Sequence, residues 1–187
     1  MSRSGYVLAG GRSTRMGRDK ALLPFRGRPL IAAIAETVFQ SAGRAILVGN
    51  PALSPVAGFP AIPDLFPGEG PLGGILTALR HTSAEWNLVC ACDMPGLDSA
   101  FLNSLFETAE AGDGEVLLPV RSNSLAEPLC AVWHRDCRGG VEAAFAAGVR
   151  KVTAALEGLR VVPYRVNADA PFQNVNTPED WSEYAAE

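Results

Sequence analysis

Short apolar runs alternate along this chain with longer stretches in which apolar residues recur at helical spacing. Gly5–Leu8 reads as a short buried strand that breaks at Ala9-Gly10-Gly11. Leu30, Ile31, Ile34, Val38 and Phe39 mark one helix face, with Pro29 where the helix begins and Gly43 where it stops. Ala45–Val48 is a second strand ending at Gly49-Asn50-Pro51, and Ala61–Asp64 is a short third. A glycine-rich turn, Gly68 to Gly74, feeds a helix that runs to about Leu79. Trp86–Cys92 is an apolar run interrupted only by Asn87, the mark of a central parallel strand buried on both faces. Asp98 or Ser99 caps the next helix, which turns Phe101, Leu102, Leu105 and Phe106 to one side. Strands over Val116–Val120 and Pro128–Trp133 flank the polar loop Arg121–Glu127. Helical patterns near Val141–Ala147 and Val152–Leu156 precede a strand over Arg160–Val166.

Strands alternating with helices predict an α/β fold, a Rossmann-like, mostly parallel sheet with helices on both faces. With 187 residues and no internal repeat or linker, the expectation is a single domain, 1–187, large enough for a substantial core. The composition, 48% hydrophobic and 19% charged, is that of a globular chain. The net charge of −4 disfavours a nucleic-acid partner, which a basic surface would attract. Seven basic residues nevertheless precede position 29: Arg3, Arg12, Arg15, Arg18, Lys20, Arg26 and Arg28. A local cationic site in an acidic chain suggests a small anionic ligand. No apolar run is long enough for a signal peptide or a membrane span, so no membrane association is expected. Cys90 and Cys92 sit two apart in an apolar strand, where small core residues are a better reading than metal or redox ligands. Together these features predict a reducing, cytoplasmic setting.

The candidate chemistry concentrates in Val7 to Lys20. A strand runs into Gly10 and Gly11, whose missing Cβ atoms let backbone N–H groups approach a ligand closely. The loop beyond carries Arg12, Arg15, Arg18 and Lys20, and the whole reads as a cradle for a polyphosphate, the alternative being a tight corner after the strand. The spacing matches neither the P-loop nor G-x-G-x-x-G. Ligands of such sheets sit beyond the carboxyl ends of the strands, and Asp93 lies at the end of the most buried strand. A carboxylate there is a ligand for Mg²⁺, which takes one or two carboxylates plus phosphate oxygens; the alternative is a turn cap. Lys20 is a point cation for phosphate or an ordinary surface lysine. Asp64 is either an Asx-turn residue or an acceptor for base or ribose. Thr177-Pro178-Glu179-Asp180 reads as a helix start, whereas Asn174 and Asn176 before it have side-chain amides to offer a ligand. His81 and His134 lack companions at ligand spacing and read as incidental.

These residues reach a nucleotide-binding domain with Mg²⁺ but do not choose the reaction. Leu8-Ala9-Gly10-Gly11, Arg15-Met16-Gly17-Arg18-Asp19-Lys20, Gly70-Pro71-Leu72-Gly73-Gly74, Cys92-Asp93-Met94-Pro95 and Asn174-Val175-Asn176-Thr177-Pro178-Glu179 resemble the motif series of the molybdenum cofactor guanylyltransferases, in order and over nearly the whole chain. The opening motif is similar to that of the wider nucleotidyltransferase superfamily. The resemblance implies a nucleotidyltransferase-type fold and transfer of GMP from GTP to molybdopterin-bound molybdenum, with pyrophosphate released. It implies that Leu8, Ala9, Gly10 and Gly11 touch the nucleotide, Lys20 and Arg15 its phosphates, Asp64 the nucleoside and Asp93 the Mg²⁺. Gly73, Asn174 and Asn176 join the binding set, the part to about residue 95 holds the nucleotide, and the remainder holds the acceptor. Transient contact with molybdoenzyme maturation proteins is also implied.

Two other readings stay open at this point. One is a cytidylyl- or sugar-phosphate nucleotidyltransferase of the same fold; the other is a non-catalytic protein that holds the finished cofactor. Backbone groups of the two glycine turns are expected to read guanine, so that bulkier residues at Gly10 or Gly73 erode binding before stability.

Overall fold

The computed structural model describes residues 1–9, 20–166 and 170–172. Gly10, Gly11, Arg15, Asn174, Asn176 and the expected helix start at Thr177 lie outside these. The elements in chain order are β1 (Arg3–Ala9), β2 (Pro24–Phe25), β3 (Arg28–Pro29), α1 (Leu30–Ala42), β4 (Ala45–Gly49), α2 (Ser54–Ala57), β5 (Ala61–Pro63), α3 (Pro71–His81), β6 (Trp86–Ala91), α4 (Ser99–Ala111), β7 (Val116–Val120), β8 (Cys130–His134), α5 (Arg138–Ala146), α6 (Val152–Ala155) and β9 (Val161–Arg165). Seven strands form one sheet in the order β5-β4-β1-β6-β8-β7-β9. All neighbours are parallel except that β8 runs against both β6 and β7.

The strand alternation builds two cores. Val7, Leu47, Leu88 and Cys90 face one side with Leu30, Ile34 and Val38 of α1 and Leu102, Leu105 and Phe106 of α4. Tyr6, Leu8, Ile46, Val48 and Val89 face the other, with Leu72, Ile75, Leu76 and Leu79 of α3 and Val141 of α5. Trp86–Ala91 is thus apolar at every position but Asn87 because both of its faces are covered, and the buried Asn87 amide is satisfied by donating to Trp133 O and accepting from the Thr82 hydroxyl. Asp98 is the cap of α4, its carboxylate accepting the Phe101 N–H at 2.7 Å.

The antiparallel β8 follows from the length of its connection. Only nine residues, 121 to 129, separate β7 from β8, too few for the crossover that a parallel strand needs. The loop closes on itself instead, with Arg121 N–H donating to Leu125 O (2.8 Å) and Glu127 N–H to Pro119 O (2.9 Å).

Helix α5 starts at Arg138 rather than near Val141. Its first turn is exposed, so no apolar period reports it; a 3₁₀ turn at Arg135–Cys137 sets the start, with His134 Nδ1 accepting the Asp136 N–H. The β2–β3 hairpin and the short α2 are also absent from the periodic pattern. The hairpin is formed by the two-residue turn Arg26-Gly27, both at positive φ (47° and 78°), which suits the right-handed twist of the strands.

Cys90 and Cys130 lie opposite one another in the β6–β8 register, both buried, and Cys92 packs against the same core. None of the four cysteines forms a disulfide. Burial pushes the Cys90 and Cys130 thiols well up and that of Cys137 to about 12, which suits inert core residues. No described helix is long and apolar enough to cross a membrane.

Candidate active site

Strand order reverses at β1, which has β4 on one side and β6 on the other. Ligands of open α/β sheets bind in the crevice outside the carboxyl ends of strands at such a reversal. The Cys92 N–H donates to Leu8 O at 3.3 Å, bringing the ends of the two strands together, and Ala9 and Asp93 follow directly.

Lys20 reaches this edge from a 3₁₀ turn, Lys20–Leu22, which is anchored by the buried Ala21 and by Leu23 N–H donating to Lys20 O (3.1 Å). Burial pushes the Asp93 carboxyl above its ordinary range. The charge of Lys20 and a hydrogen bond from Asp93's own backbone pull it part of the way back. A half-buried carboxylate facing a lysine is costly to leave ionised, and a cation bound there relieves that cost. Among the described residues no group of three or more His, Cys, Asp and Glu converges. One hard oxygen donor at the strand ends fits Mg²⁺, which takes its other ligands from phosphate and water rather than from a full protein cage.

The second glycine turn closes the crevice from the side of α3. Gly70 stands before the helix with φ 82°, and Pro71 opens the first turn. A Cβ on Gly74 would lie 2.9 Å from Leu8 Cδ2, so α3 is seated directly on the end of β1. Asp64 is held by its neighbours: its Oδ1 accepts the Phe66 N–H at 2.9 Å, an Asx turn, and lies 3.0 Å from the Thr77 hydroxyl. Thr77 is buried, accepts the Leu65 N–H at 3.1 Å, and shares its proton between Asp64 Oδ1 and Gly73 O (2.9 Å).

A profile of the MobA-like NTP transferase domain matches residues 5–161. The chain belongs to the MobA-like NTP transferase family. A probable molybdenum cofactor guanylyltransferase of Deinococcus radiodurans is 34% identical over 179 residues, covering 95% of this chain and 91% of that one. Its counterpart in Mycobacterium marinum is 36% identical over 192 residues, covering 96% and 92%. Among solved structures, molybdopterin-guanine dinucleotide biosynthesis protein A from Archaeoglobus fulgidus superposes with a TM-score of 0.84 at 29% identity, covering 98% of this chain and 97% of that one. The chain is therefore a nucleotidyltransferase of the MobA-like family, and the expected α/β nucleotidyltransferase fold holds.

Within this MobA-like domain, Leu8, Ala9, Lys20 and Asp93 gather at one edge, with Gly73 and Gly74 on the helix beside them. Gly73 has a packing duty as well. A Cβ there would stand 2.9 Å from Phe66 Cβ and 3.2 Å from Phe66 O, so enlarging it disturbs the fold along with any bound base. His81 and His134 have local roles: His81 Nδ1 lies 3.1 Å from the Tyr6 hydroxyl, and His134 caps a turn. Thr77 has no sequence signal, because a threonine in an apolar helix says nothing of the carboxylate it meets thirteen residues back.

Proposed function

We propose that this chain transfers GMP from GTP to the phosphate of molybdopterin-bound molybdenum, giving the guanine dinucleotide cofactor and pyrophosphate. The observation that carries this reading is the convergence of the β1 end, Lys20, Asp93 and the glycine start of α3 at the reversal of strand order, in a chain whose relatives bear the guanylyltransferase name.

A terminal oxygen of the acceptor phosphate attacks the α-phosphorus of GTP. The bond from that phosphorus to the bridging oxygen breaks, and the electron pair leaves with pyrophosphate. The acceptor phosphate is already ionised, so no general base is required. The protein's contribution is to align the two phosphates and to neutralise charge. Lys20 and Arg15 serve the phosphates, with Lys20 placed to stabilise charge on the departing pyrophosphate. Asp93 holds Mg²⁺, which when bound supplies further neutralisation of the phosphate oxygens. Leu8, Ala9, Gly10, Gly11 and Gly73 supply the base and phosphate with backbone contacts, Asp64 orders the nucleoside side, and Asn174 and Asn176 belong to the binding set. The part to about residue 95 takes the nucleotide and the later part the acceptor. Buried free thiols support a reducing, cytoplasmic setting, where handover to molybdoenzyme maturation proteins is brief.

The test is a panel of nucleoside triphosphates incubated with Mg²⁺ and molybdopterin-bound molybdenum, read as pyrophosphate release. GTP-selective release that requires the acceptor supports the proposal. Release with CTP in preference to GTP replaces it with the cytidylyl reading, and no release with any nucleotide replaces it with a binding protein.

A further inference from the structure

The segment Val149-Arg150-Lys151, far along the chain, reaches back to the second glycine turn. Arg150 Nε is ion-paired with Glu69, the residue before Gly70. Its guanidinium lies over the Phe145 ring at 4.0 Å, and its NH1 donates to Phe145 O (2.8 Å) and Val149 O (2.9 Å). Phe145 in turn stacks on Phe66 at 4.6 Å. Arg80 covers Phe66 at 5.1 Å and pairs with Glu142 at 2.6 Å. Glu69, Arg150, Phe145, Phe66, Arg80 and Glu142 thus form one continuous ladder between the loop before α3 and helix α5.

The loop needs such a hold. Gly68 and Gly70 both have positive φ, 85° and 82°, and a Cβ at either would meet nothing within 4 Å. Thr77 fixes the loop's first residue, Asp64, and Glu69 stands between the two positive-φ glycines of the turn. Arg150 is itself locked, because its planar fork caps the carbonyl end of α5 while its face lies on Phe145. We infer that Arg150, through Glu69, is a positioning residue that sets the glycine turn for the base, so that guanine selectivity depends on the acceptor half of the chain. This rests on the proposed base-reading role of that turn.

An exposed ion pair alone contributes little to stability, so a structural role and a positioning role predict different results. The test uses the full chain with Arg150→Gln, Glu69→Gln and both together, read as calorimetric Kd for GTP and CTP, KM against kcat for GTP, and thermal unfolding. GTP binding is expected to weaken about tenfold in each single variant and no further in the double. CTP binding stays within about twofold of wild type, since it makes fewer contacts with the turn. The loss appears in the KM for GTP, and Tm falls by no more than about 4 °C. Equal weakening of GTP and CTP overturns the inference, as do additive single losses or a lowered Tm with unchanged GTP affinity. A wild type that binds CTP as tightly as GTP overturns the proposed function and this inference with it. A wild-type guanine preference that survives Arg150→Gln overturns the inference alone.

Discussion

Leu8 fills the space that a side chain on Gly74 would need: an added Cβ would stand 2.9 Å from Leu8 Cδ2. The end of β1 and the glycine turn that opens α3 are therefore parts of a single packed unit. Gly74→Ala displaces the end of a flexible side chain, whereas Gly73→Ala meets the Phe66 backbone oxygen at 3.2 Å as well as its Cβ. Overpacking costs about 1–3 kcal/mol, and Gly73→Ala is expected at the upper end with Gly74→Ala at the lower. Adding Leu8→Val should restore stability to Gly74→Ala but not to Gly73→Ala. Denaturant unfolding of the four variants checks this, and equal rescue of both alanine variants would refute it.

Asp93→Asn is expected to abolish transfer without loss of fold. Its carboxyl is raised by burial, so the protonated form favours the folded state. The stability linked to that proton is fully present below the ordinary aspartate range and disappears as pH rises through the raised value. The variant without metal should therefore match the wild type in acid and become at least as stable at neutral pH. Mg²⁺ should raise the Tm of the wild type alone. Thermal unfolding across pH, with and without Mg²⁺, decides it; an asparagine variant that unfolds earlier at neutral pH would mean Asp93 is a structural cap.

Lys20→Ala should lower turnover on the order of a hundredfold, the scale for removing one preorganised group from developing charge. Arg26 offers the control. It is exposed in the β2–β3 turn with its guanidinium 5.0 Å from the Phe25 ring centre, and Arg26→Ala should leave turnover within about twofold. Steady-state rates of the two variants make the comparison, and similar small losses would reduce the loop's charges to a solvated surface.

Arg3 and Glu110 form a two-point pair, 2.7 and 2.6 Å, that ties the start of β1 to α4. The Arg3 hydrogen bond, with its charge, holds the Glu110 carboxyl below its ordinary value. A lowered carboxyl contributes stability above its unfolded value and loses it as pH falls through the folded one. Glu110→Gln is expected to cost about 1 kcal/mol at neutral pH, after allowance for screening, and nothing in strong acid. Unfolding free energies at two pH values check it; a cost that persists in acid would assign the effect to packing.

Much of the scaffold is legible in the sequence because its signals are local. Trp86–Ala91 declares itself as a central strand by being apolar at all positions but Asn87, and Asp98 declares itself as a cap by standing one residue before its helix. Asp93 is legible because it ends that strand. What the chain does not announce are the ties made across large sequence separations. Neither the hold of Thr77 on Asp64 nor that of Arg150 on Glu69 has a periodicity or a neighbour to betray it. The start of α5 is hidden for a different reason, since its first turn faces solvent and carries no apolar stripe. The glycine turn alone suggests a ligand-facing role for Gly73, whereas its close approach to Phe66 is a packing constraint that only the folded chain reveals.

The reversed direction of β8 has an evolutionary consequence. Because β7 ends and β8 begins at the same sheet edge as β1 and β6 end, residues 121–129 form a hairpin loop at that edge. Such a loop tolerates insertion and replacement, since no crossover helix depends on its length. A lineage is therefore free to refit this loop while the ends of β1 and β6 keep their geometry, and divergence in length should concentrate at 121–129 rather than at the two glycine turns.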